Sequence, residues 1–108
     1  MTHGLTLAAL SVAVLSVTGC SSPGSDYWGV APRSVQIDGR RYDVYSRLDR
    51  PRPEVQVIRM GYARRAEHLA ILPAMVQAAE QTTGCAVING SAVGDSGVMN
   101  ARLSCAAS

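Results

Sequence analysis

Hydrophobic and polar residues alternate in two short stretches that flank Asp38-Gly39. The apolar positions are Val35 and Ile37 in the first stretch and Tyr42 and Val44 in the second. A period of two is typical of β-strands that are buried on one face. Asp-Gly between two such stretches predicts a two-residue hairpin turn, because both turn positions favour positive φ. The alternation therefore predicts a β-hairpin over residues 34–45.

A third strand and then a helix are predicted further along the chain. Residues 54–60 are rich in β-branched side chains, which favour strands. From about residue 66 to 83 the apolar spacing becomes helical. One stripe carries Leu69, Leu72, Val76 and Ala79, and the neighbouring stripe carries Ile71, Met75 and Ala78. We expect regular helix over residues 72–82, with Gly84 as its left-handed cap. Pro73 either opens this helix near its first turn or kinks a longer one.

The last part of the chain predicts two more strands, residues 85–90 and 98–105. The predicted order is then β-β-β-α-β-β. One amphipathic helix on one face of an antiparallel sheet buries the apolar side of both elements. We therefore expect a single small α+β domain over residues 34–108, since so short a chain leaves no room for a second domain.

An uncharged run of 13 residues, 5–17, precedes Val17-Thr18-Gly19-Cys20. This run is too short to span a bilayer and is typical of a signal-peptide core. The four residues from Val17 to Cys20 resemble a lipobox, the cleavage site of bacterial lipoproteins. The resemblance implies that residues 1–19 are removed and that Cys20 carries lipid. No Lys or Arg precedes the run, and an uncleaved anchor or an ordinary signal peptide cut elsewhere stay open as alternatives.

The same resemblance implies a location in the cell envelope, with the domain anchored to a membrane and facing the periplasm. Ser21 follows the cysteine, where an Asp tends to retain lipoproteins in the inner membrane, so the outer membrane is favoured. Residues 20–33 are rich in Ser, Pro and Gly and are predicted to form a flexible tether. Tyr27-Trp28 within it either docks on the domain, which we expect, or lies at the membrane interface.

If lipid occupies Cys20, Cys85 and Cys105 remain as a pair in an oxidising compartment, and a disulfide is predicted. A hairpin that places them opposite each other also places Val87 opposite Leu103 and Asn89 opposite Ala101. Its buried face then carries both cysteines together with Met99, Leu103 and Ala101. A zinc site and a reactive thiol are the alternatives, but two distant cysteines and the single His68 are too few ligands for zinc. We expect no metal and no other cofactor.

Basic residues are concentrated in the first half of the domain. Residues 33–65 contain nine arginines against four acidic residues. Such a surface attracts anionic partners such as lipid headgroups, polyanionic glycans or nucleic acid, and Arg40, Arg41 and Arg59 are the candidate contacts for another envelope protein or an anionic envelope polymer. The alternative is a solvated strand face whose Arg stems cover apolar surface. An exported protein seldom meets nucleic acid, so we expect no nucleic-acid partner.

Gly94-Asp95-Ser96-Gly97 resembles the stretch around the nucleophile of chymotrypsin-like serine proteases over these four residues, although Val98 stands where those enzymes have a further glycine. The resemblance implies Ser96 as nucleophile, and His68 is the one available base after residue 19. A polar hairpin tip at residues 90–97, or a loop whose glycines let backbone N–H groups contact an anion, explains the same residues.

The leading hypothesis is a non-enzymatic, lipid-anchored envelope protein whose domain binds another envelope component through its arginines. The alternatives are a small envelope hydrolase that uses Ser96 and His68, and a module that binds anionic lipid or glycan. The distance between His68 and Ser96 is a direct structural test of the hydrolase hypothesis.

Overall fold

The computed structural model describes residues 22–106, in which the alternating stretches form one antiparallel sheet of six strands. The strands are β1 Arg33–Ile37, β2 Arg40–Arg47, β3 Glu54–Arg59, β4 Ala86–Val87, β5 Val93–Gly94 and β6 Val98–Ser104. They are ordered β1-β2-β3-β6-β4, and β5 also pairs with β6. The two-residue β5 lies inside the segment expected to be a hairpin tip. The predicted α+β class is confirmed.

The first hairpin forms as its turn residues predict. Asp38 and Gly39 both have positive φ, 52° and 79°, as a two-residue turn of this class requires. Val35 is paired with Tyr42 across the two strands. The apolar positions of both strands therefore face the same side of the sheet, and Ile37, Tyr42 and Val44 are buried there.

The helix, α1 His68–Thr83, is longer than predicted, and a 3-10 turn at Arg65–Glu67 precedes it. Pro73 lies within it, so the alternative of a longer helix is the correct one. The Glu67 carboxylate accepts the backbone N–H of Arg64 at 2.7 Å, which supports the turn that leads into the helix. At the other end, Gly84 adopts φ 73° and donates its N–H to Glu80, as predicted for a left-handed cap.

The helix presents the second of its two predicted stripes to the sheet. The buried positions are Ile71, Ala74, Met75, Ala78 and Ala79. On the first stripe, Leu69 is 91 % exposed and Leu72 is also exposed. The small side chains of Ala74 and Ala78 let this face approach the sheet closely, and Ile71 and Met75 fill the space beside them. The spacing of apolar residues identified two neighbouring stripes but did not decide which of them is buried against the sheet.

The second half of the domain is joined by the predicted disulfide between Cys85 and Cys105, whose Cα atoms are 4.4 Å apart. Val87 pairs with Leu103, as the predicted register required. Met99, Ala101 and Leu103 are buried on the helix side, whereas Arg102 and Ser104 point away from it and are exposed. The regular pairing of β4 stops after Val87, so it is shorter than the predicted strand.

The segment before β1 packs on the opposite face of the sheet, away from the helix. A 3-10 turn at Ser25–Tyr27 inserts the Tyr27 ring against Tyr45 and Ile58. The ring centroids of Tyr27 and Tyr45 are 6.5 Å apart. This docking differs from the expected tether over residues 20–33, because Tyr27 gains more by covering an apolar patch than by exposure to water. Docking holds for Tyr27 but not for Trp28, which is 70 % exposed.

Removing the disulfide is expected to destabilise the domain substantially. The bridge closes a loop across a sequence separation of 20 residues, for which loop-closure entropy predicts about 3 kcal/mol. The Cys85→Ala/Cys105→Ala variant should therefore lose about that much free energy of unfolding in urea titrations. A loss below about 1 kcal/mol would show that the noncovalent core alone carries the domain.

The docked N-terminal turn is expected to be sensitive to alkaline pH. Burial, followed by the nearby Glu54 carboxylate, raises the pKa of Tyr27 to about 12, above the ordinary value of about 10. The folded state thus favours the neutral phenol, and this contribution is full below pH 10 and lost as pH rises through 12. A spectroscopic phenolate titration should show a transition near pH 12 that is absent in Tyr27→Phe. Identical titrations of the two proteins would contradict a buried Tyr27 hydroxyl.

Candidate functional site

Three separate segments of the chain meet at one end of the sheet, which we name the hairpin end. They are the β1–β2 turn, the segment from Arg59 to His68, and the loop before β6. The strand registers bring them together: Arg40 pairs with Ile37 beside the turn, Tyr42 pairs with Arg59, and Ile58 pairs with Val98. All three predicted partner-binding arginines, as well as His68 and Ser96, lie at this end.

An open groove runs along the hairpin end, and we name it the hairpin groove. It is lined by Asp38, Gly39, Arg40, Arg41, Met60, Tyr62 and Glu67. Tyr62 is 85 % exposed there. The Arg41 side chain is about half exposed, with its Nε atom 3.5 Å from the Asp43 carboxylate. The groove therefore offers one aromatic ring and one accessible guanidinium to a partner.

Arg40 is less available than Arg41, because it already forms an ion pair with Glu67 at 3.1 Å. The Glu67 pKa is lowered, first by the Arg64 backbone N–H and then by the Arg40 guanidinium. Neighbouring strand residues point to opposite faces, so Arg40 lies on the helix side of the sheet and Arg41 on the other side. The two arginines meet at the groove from opposite sides of the strand end and do not form one flat basic face.

Arg59 is committed to interactions inside the domain. Its Nε atom donates to the Gly61 carbonyl at 3.2 Å, and its Nη1 atom donates to the Ser96 carbonyl at 3.0 Å. The guanidinium thus joins the segment after β3 to the loop before β6. We assign Arg59 a role in holding the hairpin end together, which leaves Arg41 as the accessible arginine of the predicted trio.

His68 and Ser96 are in direct contact, although 28 residues separate them in the sequence. His68 Nδ1 and Ser96 Oγ form a hydrogen bond between two partly buried side chains. His68 is the first residue of α1, and Ser96 lies in the loop between β5 and β6. The contact meets the distance criterion of the hydrolase hypothesis, and it also ties the helix start to the sheet.

The surroundings of this pair do not complete a catalytic triad. Asp95 Oδ1 accepts the backbone N–H groups of Gly97 and Val98 at 2.8 and 3.0 Å. These bonds, with that of Val98 the stronger influence, lower the Asp95 pKa. The carboxylate is therefore used to shape its own loop, and these two N–H groups are not free to stabilise an oxyanion.

The described residues were also searched for metal-binding clusters and for membrane-spanning helices. Over residues 22–106, no group of three or more His, Cys, Asp or Glu side chains is arranged to hold a metal ion. Within the same range, no helix has both the length and the apolarity that a membrane span requires. Cys20 and the lipobox lie outside the described residues.

Sequence reasoning did not select Tyr62 as a contact residue. Tyr62 follows the last strand residue by three positions, where no periodicity indicates which way a side chain points. Its exposure becomes apparent only once the Arg59–Gly61 hydrogen bond and the buried Ala63 fix the path of this segment. A lone tyrosine beside a cluster of arginines was the one available signal.

The chain was compared with known proteins, and no protein-family model, no curated protein and no solved structure matches it. Function is therefore argued from the residues of this chain.

Proposed function

We propose that this protein is a lipid-anchored component of the cell envelope, modified at Cys20, whose domain binds an acidic segment of another envelope protein. The binding surface is the hairpin groove. The observation that carries this proposal is that Tyr62 and the Arg41 guanidinium are both exposed on the same groove. Tyrosine and arginine are the residue types that most often dominate the free energy of binding at protein interfaces.

The charges around the groove favour an acidic partner. Arg64 and Arg65 are exposed beside it, whereas the Glu67 carboxylate is already paired with Arg40. Arg41 contacts Asp43 through Nε only, at 3.5 Å, and its side chain is about half exposed, so a carboxylate from a partner can pair with the rest of the guanidinium. The Tyr62 ring supplies apolar contact next to that charge. A lipid-anchored domain without a complete catalytic triad in its described part fits a binding or accessory role.

The groove is tested by crosslinking in intact cells followed by mass spectrometry. In the Arg41→Glu/Tyr62→Ala variant, the yield of crosslinked partner should fall at least about tenfold, because one anchor is reversed in charge and the other removed. Arg102→Glu is the matched control, since Arg102 is exposed and pairs with Glu54 at the other end of the sheet. Equal losses in both variants, or adducts with lipid or glycan in place of protein, would refute the acidic-protein proposal.

A second candidate function is hydrolysis by Ser96, and the His68–Ser96 contact favours it. In this mechanism the imidazole accepts the hydroxyl proton as the Ser96 oxygen attacks a carbonyl carbon. The candidate differs from a triad enzyme because Nδ1 faces the hydroxyl and Asp95 bonds its own loop. It would be a dyad whose histidine is oriented by the helix start.

The hydrolase candidate predicts that a fluorophosphonate probe labels Ser96. Labelling should vanish in Ser96→Ala and fall strongly in His68→Gln, whose amide cannot act as the base. Ser91→Ala is the control, because Ser91 lies in the same half of the domain and bonds only backbone groups in the described contacts. If wild-type protein is not labelled at Ser96, the contact is structural and the binding function stands alone.

A further inference from the structure

The docked N-terminal turn shortens the free chain between a lipid on Cys20 and the folded domain, and so limits the distance between the domain and the membrane. The Gly24 N–H donates to Gln56 Oε1 at 2.9 Å, which fixes Gly24 to the middle of the sheet. At about 3.3–3.6 Å per residue, Cys20 cannot lie more than about 14 Å from Gly24. A free tether over residues 20–33 would instead reach several tens of ångströms. The domain must therefore stay next to the membrane that holds its lipid.

The same attachment determines which side of the domain faces that membrane. Gly24 and Tyr27 pack on the face of the sheet opposite α1, where Gln56, Tyr45 and Ile58 lie. A short connection from this face to the lipid turns this face toward the bilayer. The helix then lies on the far side of the sheet.

Trp28 is presented outward from this face by a specific turn. The Tyr27 carbonyl accepts the Val30 N–H at 3.0 Å. Trp28 has φ −62° and ψ 132°, and Gly29 has φ 86°. These angles define a type II turn, which needs glycine at its third position and places Trp28 at the corner. Tyr27 is thus buried, whereas the Trp28 side chain points to solvent and is 70 % exposed.

The charges around the turn are balanced in sign. Asp26, Glu54, Arg47 and Arg50 all act on the Tyr27 hydroxyl, two of each charge. Arg47 also donates to the Asp26 carbonyl at 3.1 Å, so the β2–β3 region borders the turn. These four charges cancel, so the groups next to Tyr27 do not by themselves draw the turn to anionic lipid. A contact here depends on the indole ring, which favours the membrane–water interface because it is apolar with one polar N–H.

We infer that Trp28 is a membrane contact that inserts its indole into the headgroup region of the bilayer carrying the Cys20 lipid. The inference rests on the proposed lipidation of Cys20. In this arrangement Trp28 orients the domain, with α1 and its exposed Leu69 directed away from the membrane.

Trp28 is the single tryptophan of the chain, so its own fluorescence tests the inference. The protein is purified from membranes, its lipid verified by intact mass, and it is reconstituted into phosphatidylethanolamine–phosphatidylglycerol vesicles. Trp28 emission should shift to shorter wavelength than in unlipidated Cys20→Ser protein in buffer. Lipids with brominated acyl chains should quench it, and iodide should lose most of its quenching.

The matched control moves the tryptophan to the other side of the sheet. In Trp28→Phe/Leu69→Trp, the probe occupies a helix position that is 91 % exposed in the native protein, and iodide should quench it with or without vesicles. A lipidated protein whose Trp28 stays accessible to iodide, or equal lipid quenching at both positions, overturns the inference but leaves the lipid anchor intact. Absence of lipid on Cys20 overturns the proposed anchoring, and the inference with it.

Discussion

Strand β3 is buried on both of its faces, and the remaining elements are arranged to cover them. Its four central residues, Val55 to Ile58, are all buried, and they alternate between the two sides of the sheet. Val55 and Val57 join the core beneath α1, whereas Ile58 joins Tyr27 and Tyr45 on the other side. One helix cannot cover both faces. The N-terminal segment covers the face opposite α1. A stretch with the composition of a linker therefore becomes part of the fold.

The polar residue in this strand shows how the second cover is held in place. Gln56 is buried, and a buried amide must keep its hydrogen bonds. Its Oε1 atom accepts from Gly24, and its Nε2 atom donates to Asn100 at 2.9 Å. The side chain thus links the N-terminal segment, β3 and β6 in one plane. The disulfide has the corresponding role on the helix side, where it joins the end of the helix to the end of β6 in a core without phenylalanine.

Functional groups gather at the hairpin end because that is where the strand ends, the turn and the helix start coincide. The network there runs from Arg40 to Glu67, from the neighbouring His68 to Ser96, and from the Ser96 carbonyl to Arg59. Most of its polar groups are therefore committed to internal contacts. Arg41 and Tyr62 are left facing solvent, and the proposed binding function uses these two residues of a strongly basic segment.

The sequence by itself determined the hairpin, the end of the helix at Gly84, the α+β class and the Cys85–Cys105 pairing. Each depends on local backbone preference or on a period that every residue of the element repeats. Only the tertiary structure decided which helical stripe is buried, whether Tyr27 docks, and which arginines remain accessible. These depend on contacts between distant segments: Leu69 is exposed because Ile71 and Met75 fill the core, and Arg59 is engaged because Ser96 lies beside it. A pattern along the chain carries no information about such neighbours until the strands are paired.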